Sequence, residues 1–214
     1  MTNYDQIQYR QRCAQSQGNI KETLIIIAGG PSLTREDVSL CERSGLSLLG
    51  INNAYQICQR LDYLYACDKK WWSKHYEKMI LNCRRFSLEE TPHLDVEALE
   101  NDGFDGISHQ WPKVRTGGNG GYQALNLAVI LGYKNIVLLG YDMQPGEKGE
   151  LHWHPDHEGL NNPNPKRLEA WREAFNRAAP IIARMGVAVV NATRRTALTC
   201  FPQANLEQVL NDAV

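Results

Sequence analysis

The sequence predicts an α/β fold of Rossmann-like type: a mostly parallel sheet flanked by helices, with a small lid or flap insertion. Three observations carry this expectation. Short apolar runs, Leu24 to Ala28 foremost, are continuous rather than alternating, as strands buried on both faces must be. Each run ends in small or polar residues, Gly29-Gly30-Pro31 after the first and Gly140-Tyr141-Asp142 after a later one. Helical stretches alternate with the runs, which calls for parallel strands joined by crossovers.

Taken in order, Pro31 suits the first turn of the helix after the first strand, where its missing N–H costs nothing. Leu46 to Ile51 and Leu61 to Cys67 read as the next strands, ending in Asn52-Asn53 and Asp68, and a tryptophan-rich helix runs from about Trp71 to Ile80. The pattern weakens from Cys83 to Arg115, where two short strands are expected near Arg84 to Ser87 and near Gly106 to Ser108, in a small flap. Gly117-Gly118-Asn119-Gly120-Gly121 then opens an apolar helix, Tyr122 to Leu131, and Asn135 to Leu139 is another buried strand. Residues 143–165 form a loop long enough to serve as an active-site lid. Pro165 to Arg184 reads as an amphipathic helix with Leu168, Trp171, Phe175 and Ile182 inward; a strand, Val187 to Val190, and a helix, Leu206 to Leu210, close the chain.

Composition narrows the class. The chain of 214 residues reads as one domain over 1–214, with 1–20 as an N-terminal extension, and 43% hydrophobic residues supply an ordinary core. A net charge of -1 offers no basic field for nucleic acid or an anionic membrane. No apolar run approaches the roughly 18 residues of a membrane span, and the polar start lacks the order of a signal peptide. Six cysteines (Cys13, Cys41, Cys58, Cys67, Cys83, Cys200) occur without a Cys-x-x-Cys pair, so reduced thiols in a cytoplasmic protein are expected. Homo-oligomerisation is left open.

In parallel α/β sheets the ligand crevice lies beyond the carboxyl ends of the strands. The candidate nucleotide-binding residues are therefore Gly29, Gly30, Pro31 and Ser32, then Asn52 and Asn53, Asp68, Gly120 and Gly121, and Asp142. Gly29-Gly30 would let backbone N–H groups approach a phosphate, the following helix would add its free N–H groups and positive dipole end, and Ser32 would donate a hydroxyl. The asparagines are candidates for a base or ribose, and Asp68 and Asp142 for a ribose hydroxyl or Mg²⁺. Each has a plainer structural use as well, in a turn or a helix cap.

His152-Trp153-His154-Pro155-Asp156-His157 is dense in histidine. Its spacing matches the His-x-His-x-Asp-His pattern of metallo-β-lactamase-like hydrolases, but no histidine follows His157 to complete such a site. A metal on His152, His154 and His157 is one expectation. The other is acid–base work, a histidine taking the proton of an attacking hydroxyl.

With these pieces placed, the chain resembles the sialyltransferase-like superfamily, which includes the sialyltransferases of glycosyltransferase family 42 and archaeal 6-hydroxymethylpterin diphosphokinases. The resemblance spans roughly Thr23 to Phe201. It rests on Ile27-Ala28-Gly29-Gly30-Pro31-Ser32-Leu33, on Asn52-Asn53-Ala54-Tyr55, and on Ala124 through Leu131-Gly132-Tyr133-Lys134 to Gly140-Tyr141-Asp142. It implies a nucleotide-sugar-dependent glycosyltransferase, with a donor such as a cytidine monophosphate-linked sugar, a hydroxyl acceptor and no required cofactor. His157 is the best match to the family's catalytic histidine and His154 the second. The chain departs from the sialyltransferases at Gly29, where they carry asparagine, and lacks their pair of tyrosines after the Gly-x-Asp segment; His152, His154 or Lys166 would stand in beside the leaving phosphate. The alternatives are phosphoryl or diphosphoryl transfer from ATP with Mg²⁺, and a non-catalytic nucleotide-binding protein of a phage or cell envelope.

Overall fold

The computed structural model describes residues 23–156, 159 and 162–212. Its centre is a seven-stranded, all-parallel sheet, which places the chain in the Rossmann-like α/β class. In chain order the elements are β1 (Thr23–Ile27), α1 (Arg35–Arg43), β2 (Ser47–Ile51), α2 (Ala54–Ile57), β3 (Tyr63–Tyr65), α3 (Lys69–His75), β4 (Arg84–Ser87), β5 (Glu97–Ala98), β6 (Glu100–Asn101), β7 (Lys113–Val114), α4 (Gly120–Ile130), β8 (Asn135–Leu139), α5 (Pro165–Arg184), β9 (Ala188–Asn191) and α6 (Leu206–Asp212).

Spatially the sheet runs β5-β4-β3-β2-β1-β8-β9. The chain builds outward from β1 in one direction through β5, then returns to lay β8 on the other side of β1. The order therefore reverses between β1 and β8, and the crevice of such a sheet opens at that switch point. Register is continuous from Thr23 against Asn135 to Ile27 against Leu139. The pairing extends past the strand ends through Ala28 N–H to the Leu139 carbonyl and Gly30 N–H to the Gly140 carbonyl, both at 2.8 Å.

Why these residues make a two-sided sheet is visible in β1. Leu24 and Ile26 face a core shared with Tyr122, Leu125 and Phe175 of α4 and α5. Ile25 and Ile27 face a second core with Val38, Trp71 and Trp72 of α1 and α3. These four of the five β1 side chains are fully buried, so polar alternation would cost stability on either face.

The structure revises several sequence-level boundaries. Pro31 is not in a helix: α1 starts four residues later, at Arg35, because Thr34 and Asp37 close a capping box there. No strand forms at Gly106 to Ser108. Instead β4 and β5 extend the main sheet, and only β6 and β7 pair separately. Trp171 is not a core residue of α5 but stands on the cleft described next, whereas Leu168, Phe175 and Ile182 are buried as expected. Among the described residues no helix is long and apolar enough to cross a membrane, and Cys41, Cys58, Cys67, Cys83 and Cys200 are free thiols. Cys13 and the extension 1–20 lie outside the described residues.

Candidate functional site

A cleft of about 430 Å³ opens at the switch point. It gathers residues that are remote in sequence: Gly29, Gly30 and Pro31 after β1, Asn52 after β2, Asp68 after β3, Gly120 and Gly121 at the start of α4, and Asp142 after β8. Two candidates are placed elsewhere. Asn53 is buried, its Oδ1 accepting the Trp71 indole N–H at 2.9 Å, so it is used inside the fold. Ser32 does not line the cleft; its N–H donates to Asp142 Oδ2 at 3.0 Å.

The two glycine loops differ in what they offer an anion. After β1, Gly30 N–H is committed to Gly140 and Ser32 N–H to Asp142. The helix behind them is also closed: Asp37 N–H donates to Thr34 Oγ1 at 3.2 Å, and Glu36 and Asp37 already meet its dipole. The free N–H groups expected at α1 are thus absent as an anion seat, because the chain supplies its own carboxylates there. At α4 the situation is reversed. Asn119 Oδ1 accepts the Tyr122 N–H at 2.9 Å, the first turn holds no acid, and the N–H groups of Gly120 and Gly121 have no acceptor within the helix. Tyr141, fully buried, ties this end to β8 by donating its hydroxyl to the Gly121 carbonyl at 3.0 Å. Arg167, from the first turn of α5, also lines the cleft, and its Nη1 donates to the Asn162 carbonyl at 3.5 Å. Lys166, its neighbour, does not line it.

Asp142 is 3% exposed. One carboxylate oxygen holds Ser32, and the other is buried without a partner among the described residues. Desolvation by burial pushes its pKa up to about 6, against the opposing pull of Ser32. A Cβ built on Gly30 would collide with this unpartnered oxygen and with the Gly140 carbonyl, so only glycine fits beneath Asp142. Asp68 is the residue before α3 yet makes no side-chain capping bond; burial first, then Glu89, raises its pKa.

His152 and His154 stand over Gly29 with rings stacked at 4.8 Å between centroids and 5° between planes. A Cβ on Gly29 would lie 3.3 Å from His152 Nδ1 and 3.5 Å from His154 Nε2. The loop is pinned there by the Trp153 N–H, which donates to the Gly29 carbonyl at 3.2 Å. His154 Nδ1 lies 2.7 Å from the Pro155 carbonyl oxygen. That oxygen only accepts, so Nδ1 carries the proton and the neutral ring has its lone pair on Nε2. Burial holds both histidines below the ordinary pKa of the side chain. The result is a neutral imidazole that presents a basic nitrogen toward Gly29. His157 lies outside the described residues, and among the described residues no group of three or more His, Cys, Asp or Glu side chains is placed to hold a metal ion.

Among the cleft residues that sequence reasoning did not single out for the site are Gln123, whose Oε1 accepts the Tyr65 hydroxyl at 2.6 Å, together with Arg167 and Trp171. The α5 periodicity could have suggested the last two, since Arg167 and Trp171 are four apart and share a face. Asn52, expected from its place at a strand end, carries a second signal in three dimensions: its φ of 49° is a left-handed conformation, of the kind that asparagine tolerates and that recurs at binding sites. Comparison of the chain with protein-family models, with curated proteins and with solved structures finds no match.

Proposed function

We propose that this chain is a nucleotide-dependent transferase that passes an activated sugar to an acceptor hydroxyl. The observation that carries the reading is one cleft holding both an anion seat and a neutral base: the Gly120 and Gly121 amides with Arg167 on one wall, and His154 Nε2 over Gly29 on another. A phosphate of the donor sits at the α4 N-terminus, where unpaired N–H groups and the helix dipole favour negative charge. His154 takes the proton of the acceptor hydroxyl as its oxygen forms a bond to the anomeric carbon. The bond from that carbon to the donor phosphate breaks, and the phosphate leaves with the electron pair, stabilised by the same amides and by Arg167.

The Asp68 and Asp142 carboxylates on the same cleft favour a second reading, metal-assisted phosphoryl transfer from ATP. One experiment separates the two. The full-length chain is incubated with panels of nucleotide sugars and of nucleoside triphosphates, each with and without EDTA, and released nucleotide is measured. Sugar transfer predicts turnover that survives EDTA and drops about 10²- to 10⁴-fold in His154→Ala. Turnover of ATP alone, abolished by EDTA, supports the second reading. Nucleotide binding with no turnover of any donor removes both.

A further inference from the structure

Gln123 and Asn126 are both buried on α4, and the fold uses their amides differently. Asn126 is spent inside the fold: its Oδ1 accepts the Ser108 and Arg115 N–H groups at 2.9 and 2.8 Å, and its Nδ2 donates to the Ser108 carbonyl at 2.8 Å. Gln123 is 4% exposed and lines the cleft. Its Oε1 accepts the hydroxyl of Tyr65, the last residue of β3, at 2.6 Å. Tyr65 is fully buried, and burial holds its pKa well above the ordinary tyrosine value, so the hydroxyl keeps its proton and donates. The bond thereby sets the amide with its oxygen toward Tyr65 and Nε2 turned away. The neighbour of the amide on that side is Cys67, another cleft residue, which burial keeps a neutral thiol by pushing its pKa up to about 11. Sulfur is a weak acceptor and takes at most one of the two amide hydrogens.

Gln123 also stands next to the anion seat. It follows Gly120 by three residues on one face of α4, and side chains of a helix lean toward its N-terminus, so the amide lies over the Gly120 end. Tyr65 reaches the same spot from the sheet: a Cβ on Gly120 would lie 4.0 Å from Tyr65 Cε1. We propose that Gln123 Nε2 is a third hydrogen-bond donor of the anion seat, beside the Gly120 and Gly121 amides, and that Tyr65 is the positioning residue that aims it. The proposal rests on the transferase reading and adds a side-chain contact to the donor's phosphate. A donor fixed before the ligand arrives needs no reorganisation as charge builds on the leaving phosphate. Without the Tyr65 hydroxyl, the amide is free to turn its oxygen toward that charge.

The test is calorimetric titration of the full-length chain with inorganic pyrophosphate and with ADP, GDP, CDP and UDP. Wild type, Gln123→Met, Tyr65→Phe and the double variant are compared, with thermal unfolding of each in the absence of ligand. Q123M should weaken pyrophosphate and the best-bound nucleotide alike by about 10- to 100-fold, the scale of a hydrogen bond to a charged group. Y65F should weaken both by about 2- to 10-fold, and the double variant should bind as Q123M does, because Tyr65 acts only through the amide. Lowered unfolding temperatures with wild-type affinity in Q123M and Y65F would make the pair purely structural, overturning the proposal and leaving the transferase reading standing. Losses that add in full in the double variant also overturn it, since Tyr65 would then act on Gly120 directly. If Q123M does not fold, Y65F decides alone, and wild-type affinity in it overturns the proposal. Failure of wild type to bind any probe overturns the transferase reading and the proposal together.

Discussion

The Asp142 carboxylate accepts the Ser32 backbone N–H across 110 residues of chain, at 3.0 Å. It therefore occupies the place where a phosphate would meet the turn after β1. The negative group at that turn is the protein's own, and the proposed donor phosphate is accordingly assigned to the other glycine loop, at α4. It also leaves one buried oxygen of Asp142 without a donor, a cost of the order of 1–3 kcal/mol for a buried polar group.

Asp142→Asn is expected to stabilise the fold at neutral pH. Because burial raises the native pKa to about 6, the native state holds a proton that the unfolded chain has already released. Between about pH 4 and 6 stability therefore falls as pH rises, by at most ~3 kcal/mol from this group. Thermal unfolding across that range should show the slope in wild type and its flattening in D142N.

His152 and His154 act in the opposite sense. Both are held neutral by burial, so their contribution is full above the ordinary histidine pKa and is lost as pH falls below it. Turnover should decline along the same acidic limb as His154 takes up a proton. A pH–rate profile of wild type beside His152→Gln, in which the limb persists, checks that His154 is the titrating base.

Adjacent glycines should report different things. Gly30→Ala forces a methyl group into the Asp142 oxygen and the Gly140 carbonyl, and is expected to cost about 1–3 kcal/mol of stability or more. Gly29→Ala places its methyl group 3.5 Å from His154 Nε2, an ordinary contact, and 3.3 Å from His152 Nδ1, where a side-chain shift of a few tenths of an ångström relieves it. Its melting temperature should lie close to wild type while turnover falls, because the space before the base is filled.

The asparagine pair separates in the same way. Asn53→Ala leaves the Trp71 indole N–H buried without an acceptor, and should lose about 1–3 kcal/mol in chemical denaturation with nucleotide affinity unchanged. Asn52→Gly relieves a left-handed φ of 49° and should hold or raise stability by up to about 1 kcal/mol. Its nucleotide affinity should fall, since Asn52 lines the cleft.

These contrasts mark how far the sequence could be read. The strands of the sheet centre were legible because β1 and β8 are buried on both faces, and double burial leaves an unbroken apolar run. Strands β5, β6 and β7 have two residues each, too short for any periodicity to register. Most strand-end residues do reach the cleft, since strand ends converge on one rim in this architecture. What the sequence could not show is which polar groups consume one another. Asp142 and Ser32 meet only because β8 returns beside β1, and Asn53 is lost to Trp71 through the packing of α3. Trp171 looked like core because helical periodicity marks the inward face without saying whether that face meets a neighbour or a cleft.

The most direct test is a crystal structure of the chain with the tightest-binding nucleoside diphosphate. Phosphate oxygens are expected within hydrogen-bonding distance of the Gly120 and Gly121 amides, with Arg167 beside them and His154 at the opposite end of the cleft. A phosphate seated instead on Gly30 to Ser32 with Asp142 displaced, or a nucleotide bound outside this cleft, would contradict it.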